Sequence, residues 1–442
     1  MKKRILTICS LLFCFALILT GCATVGDVYI NGKSAYFDNI TYFEGQVAKI
    51  GDYLYFGNGY YDITADDFNY GDASKGGYLA RVKVDGNFSF DEDVDTQNSS
   101  PKGIEKVNDK LIGYKNQYMF ALGSYLYFTS ANTHKVADGL KNDYTQVSIF
   151  RVKFNGDGFE ELGTFKHDDN SLLSAQKVGD EFYYIISEPT ANSAYNVYTI
   201  KIGEKIGSTK KVVSDAESVV ICDEASQYKT ILYTKNNENS TYSTDAIHSV
   251  EIATGTDKVL DNGASGSSTT LLGRVCDEVF YSYEINSAKD IRHKNLVTDD
   301  VYFGGGQVFH SAEKITNINK AGLGYIFISD SSKSLMYKES FDEDAVLLLK
   351  TADYSDILFV DGDYVYYSNS TSISRVNVRS LTQENLVTMS AIQSGKCGYT
   401  KDYIYFYAQL EQQDEEQEED TNYYLYRTDK QGNYQLVGQK RG

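Results

Sequence analysis

One short phrase returns along the whole chain: glycine and aspartate, or close relatives, followed by alternating aromatic and aliphatic residues. It appears first as Gly51-Asp52-Tyr53-Leu54-Tyr55-Phe56. It returns as Gly123-Ser124-Tyr125-Leu126-Tyr127-Phe128, Gly179-Asp180-Glu181-Phe182-Tyr183-Tyr184, Gly362-Asp363-Tyr364-Val365-Tyr366-Tyr367 and Lys401-Asp402-Tyr403-Ile404-Tyr405-Phe406. Weaker copies are Lys229-Thr230-Ile231-Leu232-Tyr233, Asp277-Glu278-Val279-Phe280-Tyr281 and Gly324-Tyr325-Ile326-Phe327-Ile328. With Tyr53, Tyr125, Glu181, Thr230, Glu278, Tyr325, Tyr364 and Tyr403 equivalent, the spacing shrinks from 72 residues to 39. Runs rich in Tyr, Val, Ile and Thr favour strands, and a repeat near forty residues is that of a four-stranded propeller blade.

The rest of a blade surrounds each phrase. In the seventh unit, Asp356 to Val360 reads as a strand, Asp361-Gly362-Asp363 as a tight turn, and Tyr364 to Ser368 as a second strand. Ser372 to Val378 and Glu384 to Thr388 supply the third and fourth. The third strand recurs as Leu79 to Val84 before Asp85-Gly86 and as Ile149 to Phe154 before Asn155-Gly156, pairs that accept the positive φ of a short hairpin. No stretch shows a long 3.6-residue apolar period, so the units are antiparallel meanders. Packed radially, such sheets cover one another's faces.

The units resemble the blades of bacterial β-propellers of the YWTD and TolB type and of lipoproteins built from similar repeats. The resemblance covers roughly Val28 to Gly438. It implies an all-β chain, a β-propeller of eight blades of four antiparallel strands, with seven blades as the alternative, forming a single domain over 28–442. An N-terminal strand within Val28 to Phe43 is expected to complete the last blade beside Tyr423 to Thr428 or Tyr434 to Val437. No unit contains the Tyr-Trp-Thr-Asp core; Tyr366-Tyr367-Ser368-Asn369 comes nearest, and receptor-type ligand recognition does not carry over.

The N-terminus sets the compartment. Lys2, Lys3 and Arg4 precede an apolar run from Ile5 to Leu19, which ends in Leu19-Thr20-Gly21-Cys22. That is the layout of a secretory leader, and the run is short for a span of roughly twenty residues. The tetrapeptide resembles the lipobox of bacterial lipoproteins, in which the cysteine receives diacylglycerol before the leader is removed. The expectation is a signal peptide over 1–21, lipid on Cys22, a short tether over 22–27, and a chain on the extracytoplasmic face of the cell membrane. The net charge is −19 and all three leader charges are positive, so the exported chain is more acidic still and repels nucleic acid. Cys9 and Cys14 leave with the leader, and Cys222, Cys276 and Cys397 are an odd set at dissimilar spacings, expected as buried thiols.

Chemistry-bearing motifs are few. His134, His167, His248, His293 and His310 fall in different units without metal-ligand spacing. Asp91-Glu92-Asp93-Val94-Asp95 begins like a calcium loop, but Thr96 stands where Gly makes the sharp turn and Lys102 where a Glu closes the cage. No cofactor is expected beyond the lipid, with calcium the one metal left open. Gly304-Gly305-Gly306 lacks the Lys-Ser/Thr of a phosphate loop, and no Gly-x-Ser-x-Gly elbow occurs. The longest connections between second and third strands run over about 57–77, 129–146 and 409–422, in the first, second and eighth units, which a ring makes neighbours. They carry Tyr60, Tyr61, Asp66, Asp67, Tyr70, Asp143, Tyr144, Glu415 and Glu416, candidates for a ligand-binding surface. The expected function is an envelope binding or scaffold module for a protein, peptide or glycan; the alternative is an extracytoplasmic polysaccharide lyase or hydrolase.

Cys22→Ser is expected to leave the precursor without acyl mass and move the protein out of the detergent phase. Unchanged partitioning of the mutant, with no acylated N-terminal peptide in the wild type, would remove the lipid anchor.

Overall fold

The computed structural model describes residues 47–50, 53–58, 77–83, 105–112, 119–136, 139–168, 171–178, 181–221, 230–236, 245–263, 268–275, 278–285, 288–296, 301–302, 315–329, 332–340, 343–399, 403–409 and 423–437. They form eight four-stranded antiparallel sheets, each from four strands consecutive in sequence. The chain is an all-β propeller. Its second strands begin at Tyr53, Tyr125, Glu181, Thr230, Glu278, Gly324, Tyr364 and Tyr403, so each copy of the phrase marks one sheet. First strands touch between the first and second sheets and in each successive pair from the fourth to the eighth, which places them innermost. Cys222 and Cys276 lie outside the described residues, as do residues 28–43; the last sheet takes its four strands from Ile392 to Leu436.

The pleat explains why the phrase alternates. Successive strand residues point to opposite faces, and here both faces are covered. In the eighth sheet Ile404 and Phe406 pack toward the seventh, whereas Tyr405 and Tyr407 pack on Leu54 and Phe56 of the first. Tyr55 faces the other way, into a core shared by the first three sheets with Phe120, Tyr127, Phe128 and Tyr184. The same division places Ile231 and Tyr233 against the third sheet and Leu232 against the fifth. Eight sheets therefore close on themselves through side chains, with Leu54, Phe56, Ala80 and Val82 meeting Tyr405, Tyr407, Leu425 and Val437. Each such aromatic or aliphatic side chain contributes roughly 1.5–3 kcal/mol on burial.

A polar pattern is laid over this core near the start of the second strands. Arg81, Arg151, Arg375 and Arg427 stand opposite Tyr55, Tyr127, Tyr366 and Tyr405 on their sheets' third strands. Each guanidinium covers the ring of the tyrosine two residues earlier, Tyr53, Tyr125, Tyr364 or Tyr403, at 4.7, 4.7, 4.6 and 4.5 Å. Each also reaches the fourth strand, bonding Glu105, Glu160, Glu384 or Gln435. Arg81 donates to the Phe154 carbonyl of the second sheet at 3.1 Å, and Arg151 to the Gly203 carbonyl of the third at 3.3 Å. The pattern thus crosses three strands within a sheet and ties two sheets to their neighbours. In the fourth sheet His248 lies instead on the face turned toward the third sheet, stacked on Tyr233 directly opposite at 4.8 Å and bonded to Asp257 at 2.9 Å.

The Asn155-Gly156 hairpin shows how closely sheets approach. Gly156 has φ +91° and its carbonyl accepts from the Asn108 side chain of the first sheet at 2.8 Å. A Cβ there would sit 1.8 Å from the Val107 carbonyl oxygen. Gly156→Ala is expected to destabilise the protein by about 2 kcal/mol or more, from left-handed strain plus forced separation of two backbones, measured by urea denaturation. Arg151→Lys is expected to cost about 1–2 kcal/mol, because an ammonium cannot reproduce the planar fork.

Candidate binding face

Connections between second and third strands, and those leading from one sheet to the next, emerge at the same end of every sheet. Small buried hydroxyls secure that rim. Ser187 Oγ accepts from Leu172 N at 2.6 Å, and Ser218 and Thr234 hydroxyls meet at 2.7 Å. The strands bounding the three longest connections lie in the eighth, first and second sheets, which pack consecutively.

The second sheet departs from expectation. Thr129 to Gln146 is not a loop: its second strand runs Tyr125–Val136 and its third Gly139–Lys153. The two stay paired from Asn132↔Asp143 to Val136↔Gly139. A register shift between Ala131 and Asn132 sets this outer part off from the sheet, and Tyr144 falls in the extra segment on the longer strand. Residues rich in Thr, Val and Tyr on either side of Asp138-Gly139 carry strand propensity and a hairpin turn signal, which the loop assignment overlooked. The first strand pairs only as far as Phe128 and the fourth only from Gln146, so the ribbon extends past both. No further strand pairs with it among the described residues. Asp143 and Tyr144 therefore belong to a strand, whereas Tyr60, Tyr61, Asp66, Asp67, Tyr70, Glu415 and Glu416 lie outside the described residues, as does Asp91 to Asp95.

Between the third and fourth sheets the same face opens into a cleft of about 440 Å³, lined by Asn192, Ser193, Asp215, Glu217, Lys235 and Asn236. Local backbone geometry shapes it. Ser193 at φ 59° turns the hairpin that Thr190 N and Ala194 O close at 2.7 Å. Asp215 at φ 57° lies where the third sheet's outer strands slip register, the kind of irregularity that re-aims side chains. Glu217 N donates to Thr234 O at 2.9 Å in the bend that leads from the third sheet into the first strand of the fourth, Ser218–Ile221. Beneath the cleft Asp245 is buried, its carboxylate accepting from Thr269 N at 3.1 Å. Burial first, and then the Asp245 charge and a hydrogen bond to it, raise the Glu217 carboxyl above the usual range. This pair went unnoticed in the sequence because its members sit 28 positions apart on different strands without a motif. Among the described residues no group of three or more His, Cys, Asp or Glu side chains is arranged to hold a metal ion.

The sequence matches no protein-family model and no curated protein. Its fold is similar to that of a prolyl endopeptidase, at 8% identity and TM-score 0.46 over 88% of this chain and 55% of that one. This chain thus spans about half the length of that enzyme. It is also similar to the β-propeller domain of the Trilobed protease from Pyrococcus furiosus, at 8% identity and TM-score 0.43 over 78% and 98% of the two chains. TolB from Acinetobacter baumannii is similar at 13% identity and TM-score 0.33 over 71% and 81%.

Asp245→Asn is expected to bring the Glu217 carboxyl down toward the ordinary range, because it removes the facing negative charge. Carboxyl-carbon NMR across a pH titration reads this directly; an unchanged Glu217 midpoint would show that the acids are not coupled.

Proposed function

We propose that the protein is an extracytoplasmic propeller, anchored by lipid on Cys22, that binds a protein, peptide or glycan of the cell envelope. Its binding face is the end from which second-to-third-strand connections emerge. The observation that carries this reading is the ribbon over 132–136 and 139–143, paired on itself and extending beyond the four-stranded body. A two-stranded ribbon offers backbone donors and acceptors along its edges, the groups used when an extended segment adds to a sheet. It lies in the sheet next to the first and eighth, whose long connections carry the Tyr- and acid-rich segments. Tyrosine gives amphipathic contact area at small entropic cost. A lipid on Cys22 keeps that face close to the envelope, since stable anchoring needs more than one acyl chain or a second signal.

An enzymatic reading is favoured by one observation, the raised carboxyl of Glu217 in the lining of a cleft, because acid–base catalysis uses carboxyls raised in this way. Turnover of envelope polysaccharide or peptide that disappears in Glu217→Gln would establish it over simple binding.

Replacing residues 132–143 by Asn-Gly is expected to keep the fold and lower capture of envelope proteins, peptides or glycans by about tenfold or more, the scale of losing central contacts. Quantitative pull-down by the mature chain, with and without the ribbon, makes the measurement. Equal capture by both would overturn the ribbon's role.

A further inference from the structure

We infer that Asn262 is a site of spontaneous covalent modification, at which the side-chain amide is converted through a cyclic imide to aspartate and isoaspartate. Asparagine followed by glycine is well suited to this chemistry, because glycine has no Cβ to hinder attack by its nitrogen. The chain contains four such pairs, Asn31-Gly32, Asn58-Gly59, Asn155-Gly156 and Asn262-Gly263. The structure sets the last two apart. Asn155 is clamped in its hairpin: Oδ1 accepts from Asp157 N at 3.1 Å, and Nδ2 donates to Asp157 Oδ2 at 2.8 Å. Asn262 is exposed, and its side chain makes no hydrogen bond among the described residues.

The residues on either side of Asn262 are held. It lies in the connection from the fourth sheet's last strand, Asp257–Asp261, to the fifth sheet's first, Ser268–Val275. The Leu260 carbonyl accepts from Lys294 Nζ at 2.9 Å and the Asp261 carboxylate from Tyr281 OH at 2.9 Å, both donors belonging to the fifth sheet. Gly263, at φ +73°, packs so closely that a Cβ would fall 2.6 Å from the Asp245 carbonyl oxygen. Its nitrogen is therefore a fixed nucleophile beside a side chain that rotates onto it, and its N–H donates to Asp261 Oδ1 at 3.1 Å.

In the reaction a bond forms between Gly263 N and Asn262 Cγ, and the Cγ–Nδ2 bond breaks. The amide proton passes by way of Asp261 Oδ1 to Nδ2, which leaves as ammonia. Water then opens the imide: at Cγ to give aspartate, or at the backbone carbonyl to give isoaspartate, with one more methylene in the main chain. One water is consumed and one ammonia released, with no oxidation or reduction. Either product adds a negative charge at the end of the propeller where the second-to-third-strand connections emerge. Isoaspartate also lengthens the chain between Asp261 and Gly263, which are anchored to different partners, so the extra atom is taken up at one of those attachments.

Peptide mapping by mass spectrometry of the purified chain, aged in neutral buffer, tests this; each conversion replaces an amide nitrogen by oxygen and is read separately at each asparagine. In the folded protein Asn262 is expected to convert about tenfold or more faster than Asn155, the scale of releasing the two side-chain hydrogen bonds that hold Asn155. In the chain unfolded by guanidinium the two positions are expected to convert at comparable rates, since glycine follows both. Asp157→Ala, which removes the bond on Asn155 Nδ2, is expected to speed conversion of Asn155 while leaving Asn262 unchanged; circular dichroism checks the fold of the variant. Conversion of Asn262 no faster than Asn155 in the folded protein, the same ratio of rates in guanidinium as in the native state, or an Asn155 rate unmoved by Asp157→Ala overturns the inference.

Discussion

A four-stranded meander has two faces and cannot cover either with its own strands, and this constraint governs the arrangement of the chain. Each sheet here is apolar on both sides, with residues such as Leu54 and Tyr55 adjacent in sequence yet buried against different neighbours. No sheet is satisfied until it has a partner on each side, and a linear stack would leave two faces exposed at its ends. Closing the series removes the exposed pair. The absence of tryptophan and the 38 tyrosines fit that geometry. A wedge between radiating sheets takes a flat ring, and some tips reach a partner there, Tyr233 at Asp257 and Tyr281 at Asp261.

Apolar burial is nearly indifferent to small slides between strands, and the arginine pattern supplies what it lacks. A guanidinium stacked on a tyrosine and held by a carboxylate or amide oxygen has directional demands, and those of Arg81, Arg151, Arg375 and Arg427 are met only at one register across strands two, three and four. Such half-exposed ion pairs each contribute little by themselves. Their value lies in discriminating against a one-residue slip, which would turn every side chain to the wrong face.

The positions of the eight sheets were legible because strand alternation and Gly-Asp turns are local signals. The seventh unit shows this most clearly, its second strand running Tyr364–Ser368 as the sequence indicates. Arg151 was visible as part of a repeated third strand, but its role depends on Glu160 and Gly203, which only the folded sheets bring near. In sequence the ribbon reads as a loop because the distance between strands is long, whereas Asn132 to Val136 and Gly139 to Asp143 pair with each other. Glu217 and Asp245 carried no local signal at all. Their proximity follows from the pairing of the first three strands of the fourth sheet, to whose ends both residues belong.

Seven of the eight boundaries between sheets are crossed by the peptide that leads from one to the next, and one is not. At the boundary of the eighth and first sheets the described residues offer only side chains, Tyr405, Tyr407, Leu425 and Val437 against Leu54, Phe56, Ala80 and Val82. Chemically this junction resembles the others, while topologically it is a break in an otherwise endless band. A gene rearranged to begin at another sheet would encode the same circle with its latch moved.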